Sequence, residues 1–256
     1  MAALDVELLE ALSDNYVCLV VDPATGTSGV VDPAEADLVL RALEERDRKL
    51  DWILNTHHHA DHTAGNLEVK RATGAKIAGP AADAHRIEGL DVELVEGENF
   101  VFGSHDVRIL ETPGHTSGHI AFFFADAKVL FCGDTLFALG CGRLFEGTPA
   151  QMWHSLEKFA SMPDETLVYC GHEYTLSNAR FALTVDPDNK ALGARAAEIE
   201  QARASGRPTI PTTLGLERRT NPFLRPHDPG IRRHLGMEDA GDADVFAEIR
   251  ARKDRF

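Results

Sequence analysis

Four histidines and an aspartate occupy five of the six positions from 57 to 62, in the run Asn55-Thr-His57-His58-His59-Ala-Asp61-His62. In an extended segment alternate side chains share a side, so His57 and His59 converge on one point while His58 points away. Asp61 and His62 come where the chain turns into a helix, and so reach a neighbouring point rather than the same one. Imidazoles with a carboxylate are the donors of a hydrolytic metal centre, and two points of convergence suggest two ions. The bland alternative is a surface loop of ordinary histidines, against which the density of ligands argues. Three later segments, Thr112-Pro-Gly-His115-Thr-Ser-Gly-His119, Phe131-Cys-Gly-Asp134-Thr135 and Tyr169-Cys-Gly-His172-Glu173, each place a His or Asp after a glycine. Loops of that kind are where rigid scaffolds present functional side chains. His58, His119 and Glu173 read as supporting residues rather than ligands, and Asp32 and Asn15 as structural. His85, His105, His154, His227 and His234 lie outside any motif.

The elements that must position these residues follow from periodicity and turn signals. Residues 15–21 and 28–32 read as a hairpin, 34–49 as a helix and 52–54 as the short apolar strand that delivers the histidine run. Further strands are expected at 75–79, 101–103, 106–110, 119–125, 128–132 and 166–170, and helices near 61–73 and 149–161. After Tyr174 the texture becomes Ala-, Arg- and Glu-rich, giving helices at 175–185 and 189–205 and a last one at 242–254. Five prolines between 206 and 229 mark that stretch as an ordered connector without further strands. The pattern is α/β with layered strands and helices to residue 173, followed by a smaller helical domain over 174–256.

Composition bounds the rest. With 256 residues and 43% hydrophobic content the chain can bury a sizeable core. No apolar stretch approaches the ~20 residues of a membrane span, and the opening Met1-Ala-Ala-Leu-Asp lacks a secretory layout, so a cytoplasmic location is expected. Cys18, Cys132, Cys141 and Cys170 form no C-x-x-C pair and read as buried, reduced thiols. A net charge of −15 argues against nucleic acid as a partner. A local basic patch is present at the end of the chain, where Arg250, Arg252, Lys253 and Arg255 accompany one acid, Asp254.

Taken in order, T-H-H-H-x-D-H, T-P-G-H-T-x-G-H, C-G-D-T-L-F and C-G-H-E-Y-T resemble the metal motifs of the glyoxalase II (hydroxyacylglutathione hydrolase) family of the metallo-β-lactamase superfamily. That resemblance implies a four-layer αββα sandwich with a C-terminal helical domain. It also implies one metal on His57, His59 and His115, a second on Asp61, His62 and His172, and Asp134 bridging them. Asp61 and Asp134 are then the carboxylates closest to the reaction. Imidazole and carboxylate without thiolate suit zinc, with iron or manganese acceptable. Two such ions share a water whose lowered pKa gives hydroxide as nucleophile at working pH. A thiolate leaves readily, its acid having a pKa near ~8.5, so a thioester needs little beyond the metals. The implied substrate is S-D-lactoylglutathione, and the implied activity is the thioester hydrolysis that completes methylglyoxal detoxification. Substrate contacts are implied for Arg143, Phe145, Tyr174, Arg250 and Lys253, the last two lying i,i+3 on one helical face. Phe145 departs from the family, which commonly has Tyr there. A monomer is expected.

A glutathione persulfide dioxygenase is the main alternative, but it typically holds one iron and lacks the helical domain. The second-site candidates Asp61, His62 and His172 and the 175–256 region count against it. Another hydrolase of the same fold with a different thiol carrier is the second alternative.

Overall fold

The computed structural model describes residues 4–256; residues 1–3, and with them the reading of the opening segment, lie outside it. The chain forms two compact units, one of residues up to Thr112 with Ser117–Gly133, the other of Pro113–Thr116 with Asp134–Phe256.

The first unit begins with β1 (Asp5–Ala11) and β2 (Asn15–Val21), then β3 (Ser28–Val31), α1 (Ala36–Glu45) and β4 (Trp52–Leu54). It continues through α2 (Ala60–Thr63), α3 (Asn66–Thr73), β5 (Lys76–Pro80) and β6 (Val92–Leu94). β1, β2 and β3 pair antiparallel, whereas β3, β4, β5 and β6 run parallel. Parallel neighbours need crossovers, and α1 and α3 supply two of them. Val39 and Leu43 of α1 and Val69 of α3 bury against Val30, Ile53 and Ile77 on one face of the sheet. Every residue of β2 is buried, as expected of a strand covered on both faces.

The rest of this unit is an antiparallel meander of β7 (Asn99–Phe102), β8 (His105–Glu111), β9 (Ile120–Phe124) and β10 (Val129–Gly133). Phe100 meets Trp52 edge-on at 5.2 Å between centroids, and Phe102 meets Phe124 at 5.6 Å. Such aromatic pairs add about 0.5–1.5 kcal/mol each beyond burial. Gly29 makes room for one of these rings, since a Cβ there would stand 2.8 Å from the Phe102 ring. The two sheets of this unit therefore close on an aromatic layer, with helices outside.

The second unit holds β11 (Leu136–Phe137), β12 (Gly140–Cys141), α4 (Pro149–Glu157), β13 (Leu167–Cys170), α5 (Thr175–Val185) and α6 (Lys190–Ala204). β14 (Thr212–Thr213), α7 (Leu214–Thr220), α8 (Pro229–Leu235) and α9 (Asp242–Arg255) complete it. β14 pairs antiparallel with β13. Two expectations need correction here. The proline-rich 206–229 stretch is no plain connector, because it contains β14 and α7, and α8 begins on Pro229. Proline at the first helical position loses no internal hydrogen bond, and Asp228 caps the Gly230 and Ile231 amides. The helix expected over 61–73 is two helices broken at Gly65, where a Cβ would lie 2.6 Å from the Pro33 carbonyl oxygen.

Among the described residues no helix is long and apolar enough to cross a membrane, no disulfide forms, and all four cysteines are buried. Burial pushes the Cys141 thiol up to about 11 and that of Cys170 up to about 12.

A buried carboxylate ties the first unit's turns together. Asp22 accepts hydrogen bonds from Ala24 N, Thr25 Oγ1, Ser104 N and Ser104 Oγ, at 2.7 to 2.8 Å. Burial alone would raise its pKa, but these donors together hold it well below the usual carboxylate range. Its stabilising contribution is therefore complete above its unfolded pKa and lost as acid protonates it below that value. Asp22→Asn is expected to cost about 1–3 kcal/mol in urea unfolding at pH 7. The gap between variant and wild type should narrow at pH 3.

Candidate metal centre

In the first unit the histidine run leaves the C-terminal end of β4, and its loop is fastened before any ligand is considered. Asn55 N donates to Ala78 O at 2.9 Å, and Ile120 N donates to Thr56 O at 2.8 Å. Asn55 Nδ2 reaches the His62 carbonyl and the Asn66 side chain. Buried Asp32, at the end of β3 with φ of +50°, accepts from Thr56 N at 2.8 Å and Thr56 Oγ1 at 2.6 Å. The same Oδ2 lies 3.1 Å from His62 Nδ1. Asp32, His57 and His62 gather their donor atoms within 4.8 Å.

The rings converge as the alternation requires. The His57 centroid lies 4.7 Å from that of His59 and 4.2 Å from that of His62. His58 turns to the buried Asp83, its Nδ1 2.9 Å from Oδ2. His119 stacks on His57 at 4.8 Å, with its Nδ1 2.9 Å from Thr112 Oγ1. Gly133, at φ of +47°, leaves space for this stack: a Cβ would stand 2.3 Å from Thr56 Oγ1 and 2.8 Å from His119 Nε2. Asn15 Nδ2 donates to both the carbonyl and the carboxylate of Asp61, at 3.1 Å each.

The second unit holds a matching set. Asp134 Oδ2 lies 3.4 Å from His115 Nε2 and 3.3 Å from His172 Nε2. His115 Nδ1 donates to the Arg143 carbonyl at 2.8 Å, and a carbonyl can only accept. In the neutral ring Nε2 is then a lone pair facing a carboxylate oxygen. His62 repeats the pattern in the first unit, with Nδ1 on the Asp32 carboxylate and Nε2 3.5 Å from Asp61 Oδ2. Two acceptors facing each other call for a positive charge between them. Ligands about 2.0–2.1 Å from a tetrahedral ion stand roughly 3.3–3.4 Å apart, longer than an ordinary N–H···O bond. The donor chemistry and the spacing therefore fit divalent cations in both sets.

Around the second set, the Tyr174 ring stacks on His172 at 4.7 Å with an interplanar angle of 4°, and Phe145 meets His115 edge-on at 5.2 Å. Tyr174 is 38% and Phe145 61% exposed. Arg143 is exposed, with Nε 3.4 Å from Asp254. Arg250 differs from the open cation that its position in a basic stretch suggests. It is 5% exposed, and its guanidinium donates to Cys141 O and Asp254 and lies over the Phe223 ring. Lys253, half-buried, sits over Phe181 and Phe256 and reaches Ser177.

Asp32 is the residue whose part at the site the motifs understate; its one signal in the sequence is a place at the end of a strand before a proline. Because it fixes both Thr56 and the His62 ring, Asp32→Asn is expected to weaken metal binding about 10–100-fold by chelator competition. Unchanged affinity would remove it from the ligand support.

A model of the metallo-β-lactamase superfamily matches residues 16–172, and one of the hydroxyacylglutathione hydrolase C-terminus matches residues 173–256. The hydroxyacylglutathione hydrolase of Rhizobium etli is 57% identical over 256 residues, the whole of both chains. Among solved structures, ETHE1 from Myxococcus xanthus aligns with a TM-score of 0.69 at 26% identity, covering 96% of this chain and 90% of that one. TTHA1623, solved in a di-iron-bound form, aligns at 0.60 and 26% identity over 86% of this chain and 100% of its own. The fold is thus the metallo-β-lactamase fold with an additional C-terminal domain, of the α/β class. On these matches, which together span nearly all of its length, the chain belongs to the hydroxyacylglutathione hydrolase family of the metallo-β-lactamase superfamily.

Proposed function

We propose that the chain hydrolyses S-(2-hydroxyacyl)glutathione thioesters, S-D-lactoylglutathione foremost, to D-lactate and glutathione, the second step of methylglyoxal detoxification. The observation that carries the reading is the opposition of imidazole Nε2 and carboxylate oxygen at 3.3 to 3.5 Å in both ligand sets. The name and full-length identity of the Rhizobium etli relative support the substrate. In this reading His57, His59 and His115 hold one divalent cation, Asp61, His62 and His172 a second, and Asp134 is shared. Zinc suits the donors best, with iron or manganese acceptable. Bound there, two such ions would supply Lewis acidity and lower the pKa of a water held at the site towards neutrality.

The chain's own residues do the rest. Asp32 and the Arg143 carbonyl fix the tautomers of His62 and His115, so that each ring presents a lone pair. The departing thiolate needs no proton donor, which agrees with a reaction that asks for no further acid. Residues 174–256 supply the substrate-binding domain. The exposed rings of Tyr174 and Phe145 offer apolar walls, and Phe145 lacks the hydroxyl of a tyrosine, nominally about 0.5–1.5 kcal/mol of binding. Arg143, Arg250 and Lys253 draw in the carboxylates of the tripeptide, with Arg250 also seating the Cys141 backbone. A cytoplasmic monomer that binds no nucleic acid completes the reading.

Two outcomes are expected. Asp134→Ala should lose bound metal and thioesterase activity together, measured by elemental analysis and by the loss of thioester absorbance; a fully active variant would sink the shared-ligand role. Burial, helped by the nearby Arg250 charge, pushes Lys253 down to about 8. It is charged below that pH and neutral above it, so KM for the anionic thioester should rise as pH climbs past 8. Lys253→Arg should flatten that rise, and Lys253→Ala should raise KM at pH 7 more than it lowers kcat.

A further inference from the structure

The second unit contains a hairpin of two-residue arms, Leu136–Phe137 and Gly140–Cys141, closed by Ala138 and Leu139. Its tip is driven into a helical core. Leu139 is fully buried among Ala179, Ala182, Leu192, Ala196 and Ile199, in the left-handed backbone region at φ of +58°. A non-glycine residue is held there only when its surroundings over-determine it.

Three buried side chains provide that determination through the backbone. Glu217 Oε2 accepts from Leu139 N at 2.8 Å. Asn221 Nδ2 donates to Phe137 O and Gly140 O at 3.1 and 3.0 Å, and Asn178 Nδ2 donates to Ala138 O at 3.1 Å. Glu217 is itself fixed: its Oε1 accepts from Arg195 Nη2 and from Thr212 Oγ1, and Asn221 also donates to its Oε2. Glu217 has no exposed surface and Arg195 only 7%. A buried ion pair is weak evidence for stability, since apolar residues of similar volume often serve as well. Its contacts with a turn backbone suggest another use.

The hairpin's arms lead to ligand candidates. Asp134 precedes β11 by two residues, and Arg143 follows β12 by two. Gly142 N donates to Thr135 O at 3.3 Å, continuing the pairing, and a Cβ at Gly142 would stand 2.0 Å from Asp134 O and 3.2 Å from His115 Cβ. The Arg143 carbonyl then accepts from His115 Nδ1. A shift of the tip therefore moves both the Asp134 carboxylate and the acceptor that orients His115.

We propose that Glu217, braced by Arg195, is a positioning residue for the metal centre, acting through the Ala138–Leu139 turn on Asp134 and His115. The claim rests on reading those two residues as metal ligands. Two full-length double variants test it. Arg195→Met with Glu217→Leu removes the ion pair and the acceptor of the Leu139 amide. Arg195→Met with Glu217→Gln removes the ion pair but keeps a carbonyl acceptor in place. The first should show Leu139 amide exchange at least about tenfold faster in metal-free protein and metal affinity about 10–100-fold weaker by chelator competition. The second should keep metal affinity within about threefold of wild type. Equal metal affinity in wild type and both variants would overturn the proposal. So would equal loss in both variants, or their unfolding together, which would make the ion pair a stabilising element and nothing more. If the wild type bound no metal, the dinuclear reading would fail instead; the Leu139 exchange rates would still decide whether Glu217 holds the turn.

Discussion

The buried carboxylate of Asp32 is the constraint on which the first unit's ligand set depends. It accepts two hydrogen bonds from Thr56 and faces the Nδ1 of His62, so one charge sets both the course of the histidine loop and the direction of one ligand ring. Burial makes that arrangement decisive, because an unsatisfied ionised group away from water is costly and the surrounding donors must stay in place. The parallel strands give it leverage. Asp32 directly follows β3 and the histidine loop directly follows β4, so neighbouring strand ends are joined by side-chain contacts as well as by the sheet ladder. The second unit solves the same problem differently, orienting His115 with a backbone carbonyl and the hairpin that carries it.

Both ligand sets share one electrostatic tension. Carboxylate oxygens face the Nε2 of His62 and of His115, whose Nδ1 edges are already engaged, and in low dielectric such opposition is unfavourable until a cation lies between. On the proposed reading, metal binding and stability are coupled: the polypeptide holds the donors in place and an ion between them makes their proximity favourable. A net charge of −15 repels anions over most of the surface, so a small anionic substrate needs a local group of cations.

How much of this is legible in the sequence depends on the kind of signal. His57, His59 and His62 are readable because so dense a run of ligand types directly after an apolar strand seldom arises without a metal, and the alternation that turns His58 aside is a property of extended backbone. Strands such as Asn15–Val21 are readable as continuous apolar runs bounded by turn residues, and helices such as Thr175–Val185 by their helical composition. β1 escapes a reading of the sequence: it lies at the sheet edge, half-exposed along most of its length, so its alternation is weak. α8 is hidden by Pro229, which reads as a breaker when counted and as a helix start when placed after the capping Asp228, and α7, capped by Thr213, is hidden by the prolines that flank it in sequence. The burial of Arg250 is not legible, because its pair with Asp254 is a local i,i+4 contact of an ordinary exposed kind, whereas the Cys141 carbonyl that it also meets is 109 residues away. Nor is the grip of Glu217 on Leu139, 78 residues apart.

The central claim is that two metal ions, held by residues drawn from four separate segments, carry a thioester hydrolysis. Titrating metal-free protein with zinc, iron or manganese while following S-D-lactoylglutathione at its thioester absorbance addresses it most directly. Activity should rise from near zero and saturate at two ions per chain for at least one of the metals, and a chelator should abolish it. Saturation at one ion, or turnover indifferent to the chelator, would contradict the account.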